Sequence, residues 1–149
     1  MNKKFMEEAL KIAQDGEKMG EVPIGAVVVK DGEILAFAHN LTETKKDPTA
    51  HAEILAMRAA AEKLGDFRLT GCELYVTLEP CPMCAGAALN ARVSEVIFGG
   101  YDKVKGALGS ALNLYSYDLP NKPLVYGGVM EKPCTDILKS FFEKRRKFK

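Results

Sequence analysis

Two short apolar runs joined at Asp31-Gly32, in "IGAVVVKDGEILAFAHN", constrain the architecture more than any other feature of this chain. An Asp-Gly pair between strand-like segments is a strong hairpin signal, because both turn positions need positive φ. After the hairpin the pattern alternates. "KDPTA" announces a helix that stops near Leu64-Gly65, "CELYVTL" reads as a strand, "CPMCAGAALNAR" as a short helix and "VSEVIFGG" as another strand. A glycine-bearing loop, "YDKVKGALGS", separates these from a last strand in "KPLVYGG" and a last helix in "CTDILKSFFEKRRK", with Ile137, Leu138, Phe141 and Phe142 on its apolar side. Phe5, Met6, Ala9, Leu10, Ile12 and Ala13 open the chain with helical spacing. A hairpin followed by alternating helices and strands predicts a three-layer α/β/α arrangement in which helices cover both faces of a mixed sheet.

No repeat, low-complexity segment or long Pro/Gly/Ser linker divides the 149 residues, so one domain over 1–149 is expected. A chain of that length buries roughly two-thirds of the surface its unfolded form exposes and needs no disulfides to hold a core. With 47% apolar and 28% charged residues, and no apolar run long enough to span a bilayer, a soluble protein without membrane partners is expected. The start, "MNKKFMEEALKIAQDGEKMG", lacks the apolar region of a secretory signal, which makes the cytoplasm the default. Net charge of +1 hides a basic end: Lys139 to Lys149 hold six Lys or Arg against the single acid Glu143. That segment suits phosphate, or is a solvated helix face.

Without an export signal, four cysteines favour metal or catalysis over disulfides for any close pair. Cys81 and Cys84 in "EPCPMC" are such a pair. At a helix start, with Pro82 favouring initiation, their sulfurs fall one turn apart on one face, and the helix N-terminus helps to hold both as thiolates. "TAHAEI" supplies His51 and, two residues on, Glu53. A glutamate near a helix start is ordinarily a capping-box or macrodipole residue. The register disfavours the box: with Thr49 as cap the third helical residue is Ala52, and with Asp47 as cap it is Ala50.

Zinc on His51, Cys81 and Cys84 has three protein ligands, the pattern that leaves a fourth place for water. His51 and Glu53 do not share a helix flank, yet they converge if the metal lies beyond the helix end. Glu53 then reaches the water without ligating the metal and serves as a proton shuttle. Cys72 and Cys134 read as small buried residues, although a purely structural site with Cys72 or His39 as fourth ligand stays open.

"HAE" and "PCPMC" match the signature of zinc-dependent base deaminases. Together with "GEVPIGAVVV", "DPTAHAEI", "RLTGCELYVTLEPCPMCAGA", "FGGYDKVKGALGS" and "FFEKRR", the chain resembles the bacterial tRNA-specific adenosine deaminases over nearly its whole length. The resemblance implies a cytidine-deaminase-like fold with a central sheet of about five strands, one zinc ion per chain, a homodimer, and the tRNA anticodon loop as partner. It implies hydrolytic conversion of adenosine to inosine at the wobble position. Residue by residue, it implies that Glu53 is catalytic and that Asn40 hydrogen-bonds the purine. Ile24 and Ala52 then line the base pocket, Asp102 meets a ribose 2'-hydroxyl with Lys103 and Lys105 beside it, and Phe142, Arg145 and Arg146 form the terminal segment that packs and touches RNA. Val104, Asn121-Lys122 and Glu143 depart from the residues common in relatives.

Two other readings stand beside this one: a deaminase of a free base or nucleoside such as guanine, cytosine or cytidine, and a non-enzymatic RNA-binding module with structural zinc. Glu53 speaks against the module, and the Asp102 loop and basic terminus favour tRNA over free bases.

Overall fold

The computed structural model describes residues 1–147; Phe148 and Lys149, the end of the expected 1–149 domain, lie outside the described residues. Five strands form one mixed sheet in the order β2-β1-β3-β4-β5. Strands β1 (Gly25–Lys30) and β2 (Glu33–His39) form the expected hairpin, with φ of 52° at Asp31 and 77° at Gly32 as its turn requires. Strand β3 (Cys72–Leu78) runs antiparallel to β1, while β4 (Glu95–Gly100) and the short β5 (Leu124–Tyr126) add in parallel.

Helices α1 (Lys3–Lys18) and α5 (Glu131–Lys147) cover one face, and α3 (Ala52–Leu64) and α4 (Pro82–Ala91) the other. The buried strands supply both cores by alternation. Val27 and Val29 pack with Met6, Ala9, Tyr75, Ile97 and Cys134, whereas Ala26 and Val28 pack with Ala56, Met57, Leu74 and Val76. Each large side chain fully buried in this way contributes about 1.5–3 kcal/mol. Helix α1 approaches β1 so closely that a Cβ on Gly25 would lie 2.0 Å from the Ala9 carbonyl oxygen, which only glycine avoids.

Three features differ from the sequence expectations. Helix α3 begins at Ala52, later than a Thr49 or Asp47 cap would place it, because Asp47 Oδ1 accepts from the Thr49 N–H (2.8 Å) and hydroxyl (2.7 Å) and folds "DPT" into a turn of its own. A four-residue helix, α2 (Thr42–Lys45), stands where only loop was expected. It has no local side-chain cap; the buried carboxylate of Glu21 accepts from the N–H groups of Glu43 and Thr44 and the Thr44 hydroxyl instead. Helix α5 starts at Glu131, before Cys134.

The topology sets the place of the site. Because β1 is antiparallel to both neighbours, Ile24 at its start, Asn40 after β2, Glu79 after β3 and Asp102 after β4 all emerge at the same end of the sheet. Open sheets with parallel strands bind ligands at that carboxyl end.

Candidate metal centre and cavity

Two helices aim their N-termini at one point. His51 is the N-cap of α3 and Cys81 the N-cap of α4, each with extended backbone (φ −75°, ψ 152° and φ −74°, ψ 173°) that turns the side chain beyond the helix end. His51 Nδ1 lies 3.6 Å from Cys81 Sγ and 3.4 Å from Cys84 Sγ, and the three donor atoms all fall within 4.8 Å of one another. Among the described residues no fourth His, Cys or acid joins this group. Cys72 opens β3, at the opposite end of the strand from Cys81, and His39 Nδ1 donates to the Asn40 carbonyl (3.0 Å) with its ring packed near Gly16. The fourth-ligand role left open for Cys72 or His39 is therefore excluded for Cys72 by distance and finds no support at His39.

The electrostatics follow from this packing. A hydrogen bond from the Cys84 thiol, more than any other influence, holds the Cys81 thiol down at about 4, and the same bond pushes Cys84 up. The hydrogen bond to Cys81 raises His51. The cluster thus holds protons that a metal ion would displace. One imidazole nitrogen and two sulfurs form a borderline-soft set suited to zinc, and three protein donors leave one tetrahedral position open.

Glu53, 4% exposed in the first turn of α3, stands beside the cluster and outside the donor group. Burial pushes its carboxyl up to about 6, against the pull of its own backbone N–H and of His51. A carboxyl so placed exchanges protons readily near neutral pH.

A cavity of about 640 Å³ opens over these groups, within the range typical of ligand sites. Ile24, Asn40 and Ala52 wall its inner part; Asp102, Lys103, Lys105 and Phe142 wall its outer part. Asn40 is buried, its amide nitrogen donates to Thr42 Oγ1 at 3.4 Å, and its side-chain oxygen has no partner. A buried acceptor left alone costs about 1–3 kcal/mol, so a donor is missing there. Asp102 Oδ1 accepts from the N–H groups of Val104 (3.0 Å) and Lys105 (3.1 Å), giving the acid a local task in shaping its loop. Arg145 and Arg146 are exposed on α5 outside the cavity wall, with the Arg145 guanidinium 5.3 Å from the centre of the Phe141 ring.

The sequence reading missed Thr42 and Glu79, which line the cavity, and gave Lys139, which also lines it, only as the start of the basic end. Glu79 had a visible signal: an acid closing a strand as apolar as "LYVTL" must be buried with partners or turned away.

A family model described as MafB19-like deaminase matches residues 1–146. The tRNA-specific adenosine deaminase of Bacillus subtilis (strain 168) is 49% identical over 146 residues, covering 97% of this chain and 91% of that protein. The protein of the same description from Haemophilus influenzae is 43% identical over 150 residues, covering 99% and 87%. A solved structure from a study of A-to-I editing by tRNA:A34 deaminases at the wobble position of transfer RNA superposes with a TM-score of 0.89 at 44% identity, covering 92% of this chain and 100% of that one.

Proposed function

The chain belongs to the tRNA-specific adenosine deaminases, and from that premise we propose that it deaminates adenosine to inosine at the wobble position of tRNA, using His51, Cys81 and Cys84 to hold one zinc ion and Glu53 to move protons. The observation that carries these roles is the pairing of a three-donor cluster with a buried carboxyl that does not belong to it. Zinc, when bound, supplies an acidified water at neutral pH. Glu53 takes a proton from the water and passes it to the purine ring nitrogen, then takes the proton of the new C6 hydroxyl and passes it to the departing amine. Overall, the oxygen of water replaces the amine at C6 and ammonia leaves.

The remaining roles are assigned by place. Asn40 gives its unpartnered oxygen to a donor on the bound nucleoside. Ile24 packs on the base. The N–H of Ala52, first in α3 and without an i−4 partner, is available to it. Asp102 keeps Oδ2 free of the backbone bonds made by Oδ1 and accepts a ribose 2'-hydroxyl. Lys103, Lys105, Arg145 and Arg146 meet phosphates, with Phe142 packed at the cavity mouth.

The single sheet, covered on both faces, supports one deaminase domain for the chain. A homodimer is proposed on family grounds and on Phe67, Leu112 and Tyr117, exposed apolar side chains on the segment that follows α3 and on either side of a 3₁₀ turn, Leu114–Ser116, that packs against α4. The cytoplasm, where tRNA is handled, is the proposed location; among the described residues no helix is long and apolar enough to cross a membrane. The test is nucleoside analysis after incubating zinc-loaded protein with an anticodon stem-loop, its deoxyribose counterpart, free adenosine, guanine and cytidine. Inosine from the stem-loop alone supports the reading, and turnover of a free base instead contradicts it. In the same assay an Asp102→Asn variant with an unchanged RNA-to-DNA ratio counts against the 2'-hydroxyl role.

A further inference from the structure

Glu79 is 2% exposed, and every bond its carboxylate makes goes to a distant loop. Oε1 accepts from the Asp102 N–H (3.1 Å) and the Ser110 hydroxyl; Oε2 accepts from the N–H groups of Leu108 (3.0 Å) and Ser110 (3.1 Å). Four donors converge on two oxygens, which a carboxylate satisfies and no other side chain of that length does. The loop closes over it. A Cβ on Gly106 would fall 2.4 Å from the Glu79 carboxyl carbon and 2.4 Å from the Asp102 carbonyl oxygen, so only glycine lets the backbone cross there. On the strand side, the Glu79 N–H donates to the Gly100 carbonyl (2.8 Å) and the Ala107 N–H to that of Pro80 (2.8 Å).

Between the first and last of these tethers lie Asp102, Lys103, Val104 and Lys105, the outer cavity wall, with Val104 82% exposed between the two lysines. Two residues after Glu79 comes Cys81. One buried side chain therefore joins the turn that carries the metal cluster to the loop that faces the polynucleotide.

We propose that Glu79 is a positioning residue for substrate binding: it fixes the Asp102–Ser110 loop at one height above the metal cluster, and so sets affinity for the anticodon loop and not the rate of deamination. This rests on the polynucleotide reading above. None of the partners of its carboxylate belongs to the metal cluster or is Glu53, which separates it from the chemistry.

The geometry dictates an informative variant. In Glu79→Gln the amide oxygen can still accept from Leu108 and Ser110, and the amide nitrogen can donate to the Ser110 oxygen. The Asp102 N–H then faces a donor, so the loop is untied at that end alone. In Glu79→Ala all four bonds go.

The test is steady-state kinetics of zinc-loaded parent, Glu79→Gln and Glu79→Ala on a wobble-adenosine stem-loop, with zinc measured in each. Loss of one charge-assisted hydrogen bond corresponds to about a tenfold change. Glu79→Gln should raise KM about tenfold with kcat and zinc content held, and Glu79→Ala, where it folds, should raise KM further. An unchanged KM in Glu79→Gln overturns the proposal, whatever its Tm, as does a fall in kcat that tracks loss of zinc. Should the parent form no inosine, the substrate reading fails separately. Fluorescence anisotropy with the same stem-loop then decides this one: about tenfold weaker binding by Glu79→Gln upholds it, and equal binding overturns it.

Discussion

His51 Nδ1 lies 3.4 Å from Cys84 Sγ although 33 residues separate them in sequence. Helices α3 and α4 pack side by side and present their N-termini together, so the meeting is a product of the fold and of the two extended cap residues. Replacing Cys84 by Ala should abolish zinc binding and lower Tm, since metal bound only by the folded ligand set adds its binding free energy to the stability of the fold. Cys72→Ala, altered at the far end of β3, should keep one zinc per chain. Elemental analysis of the two variants separates them, and full occupancy in Cys84→Ala would remove it from the ligand set.

Glu53 is assigned to proton transfer and not to ligation. Glu53→Gln should therefore retain zinc while kcat falls by about 10²–10⁴-fold or more, the range for a general acid-base group that here serves both attack and departure. Near-normal turnover in a zinc-loaded variant would take Glu53 out of the mechanism.

For Asn40 the structure foretells a loss of activity with little change in stability. Its buried oxygen accepts no hydrogen bond from the protein, so Asn40→Ala should leave Tm of the free protein near that of the parent while kcat/KM falls about tenfold or more. A large loss of Tm with kcat/KM intact would make Asn40 a structural residue.

Glu21 gives the pH dependence. Burial opposes its ionisation, but the hydroxyl and N–H of Thr44 and the N–H of Glu43 outweigh this and hold the carboxyl below its ordinary value. A lowered folded-state value means that the stabilisation is present above the unfolded value and is lost as pH falls through the folded one. Glu21→Gln should accordingly be less stable than the parent by about 1–3 kcal/mol at neutral pH. The gap should shrink in acid as Glu21 of the parent protonates. Denaturant unfolding at several pH values measures it; a gap that is constant or widens in acid contradicts this account of α2.

Local chemistry made much of the architecture legible. Asp31-Gly32 marked the hairpin, apolar alternation marked β3 and β4, and Pro82 after Cys81 marked the start of α4. The cluster was legible because the His-x-Glu and Cys-x-x-Cys spacings carry their own geometry. What stayed hidden depends on partners far along the chain. Helix α2 forms on the carboxylate of Glu21, 22 residues before Glu43, and Glu79 acquires its meaning from Asp102 and Ser110, 23 and 31 residues on. The start of α3 was misread for a subtler reason: Asp47 and Thr49 are both good caps, and they bond each other instead.

In the proposed mechanism, water and Glu53 deaminate the wobble adenosine hydrolytically. The measurement that meets it most directly is mass analysis of the anticodon nucleosides after the zinc-loaded protein has acted on a stem-loop in ¹⁸O-labelled water. The account predicts inosine at the wobble position alone, carrying one heavy oxygen at C6, with no product from Glu53→Gln beyond a trace. Absence of inosine from the parent, inosine without the label, or equal yield from Glu53→Gln would contradict it.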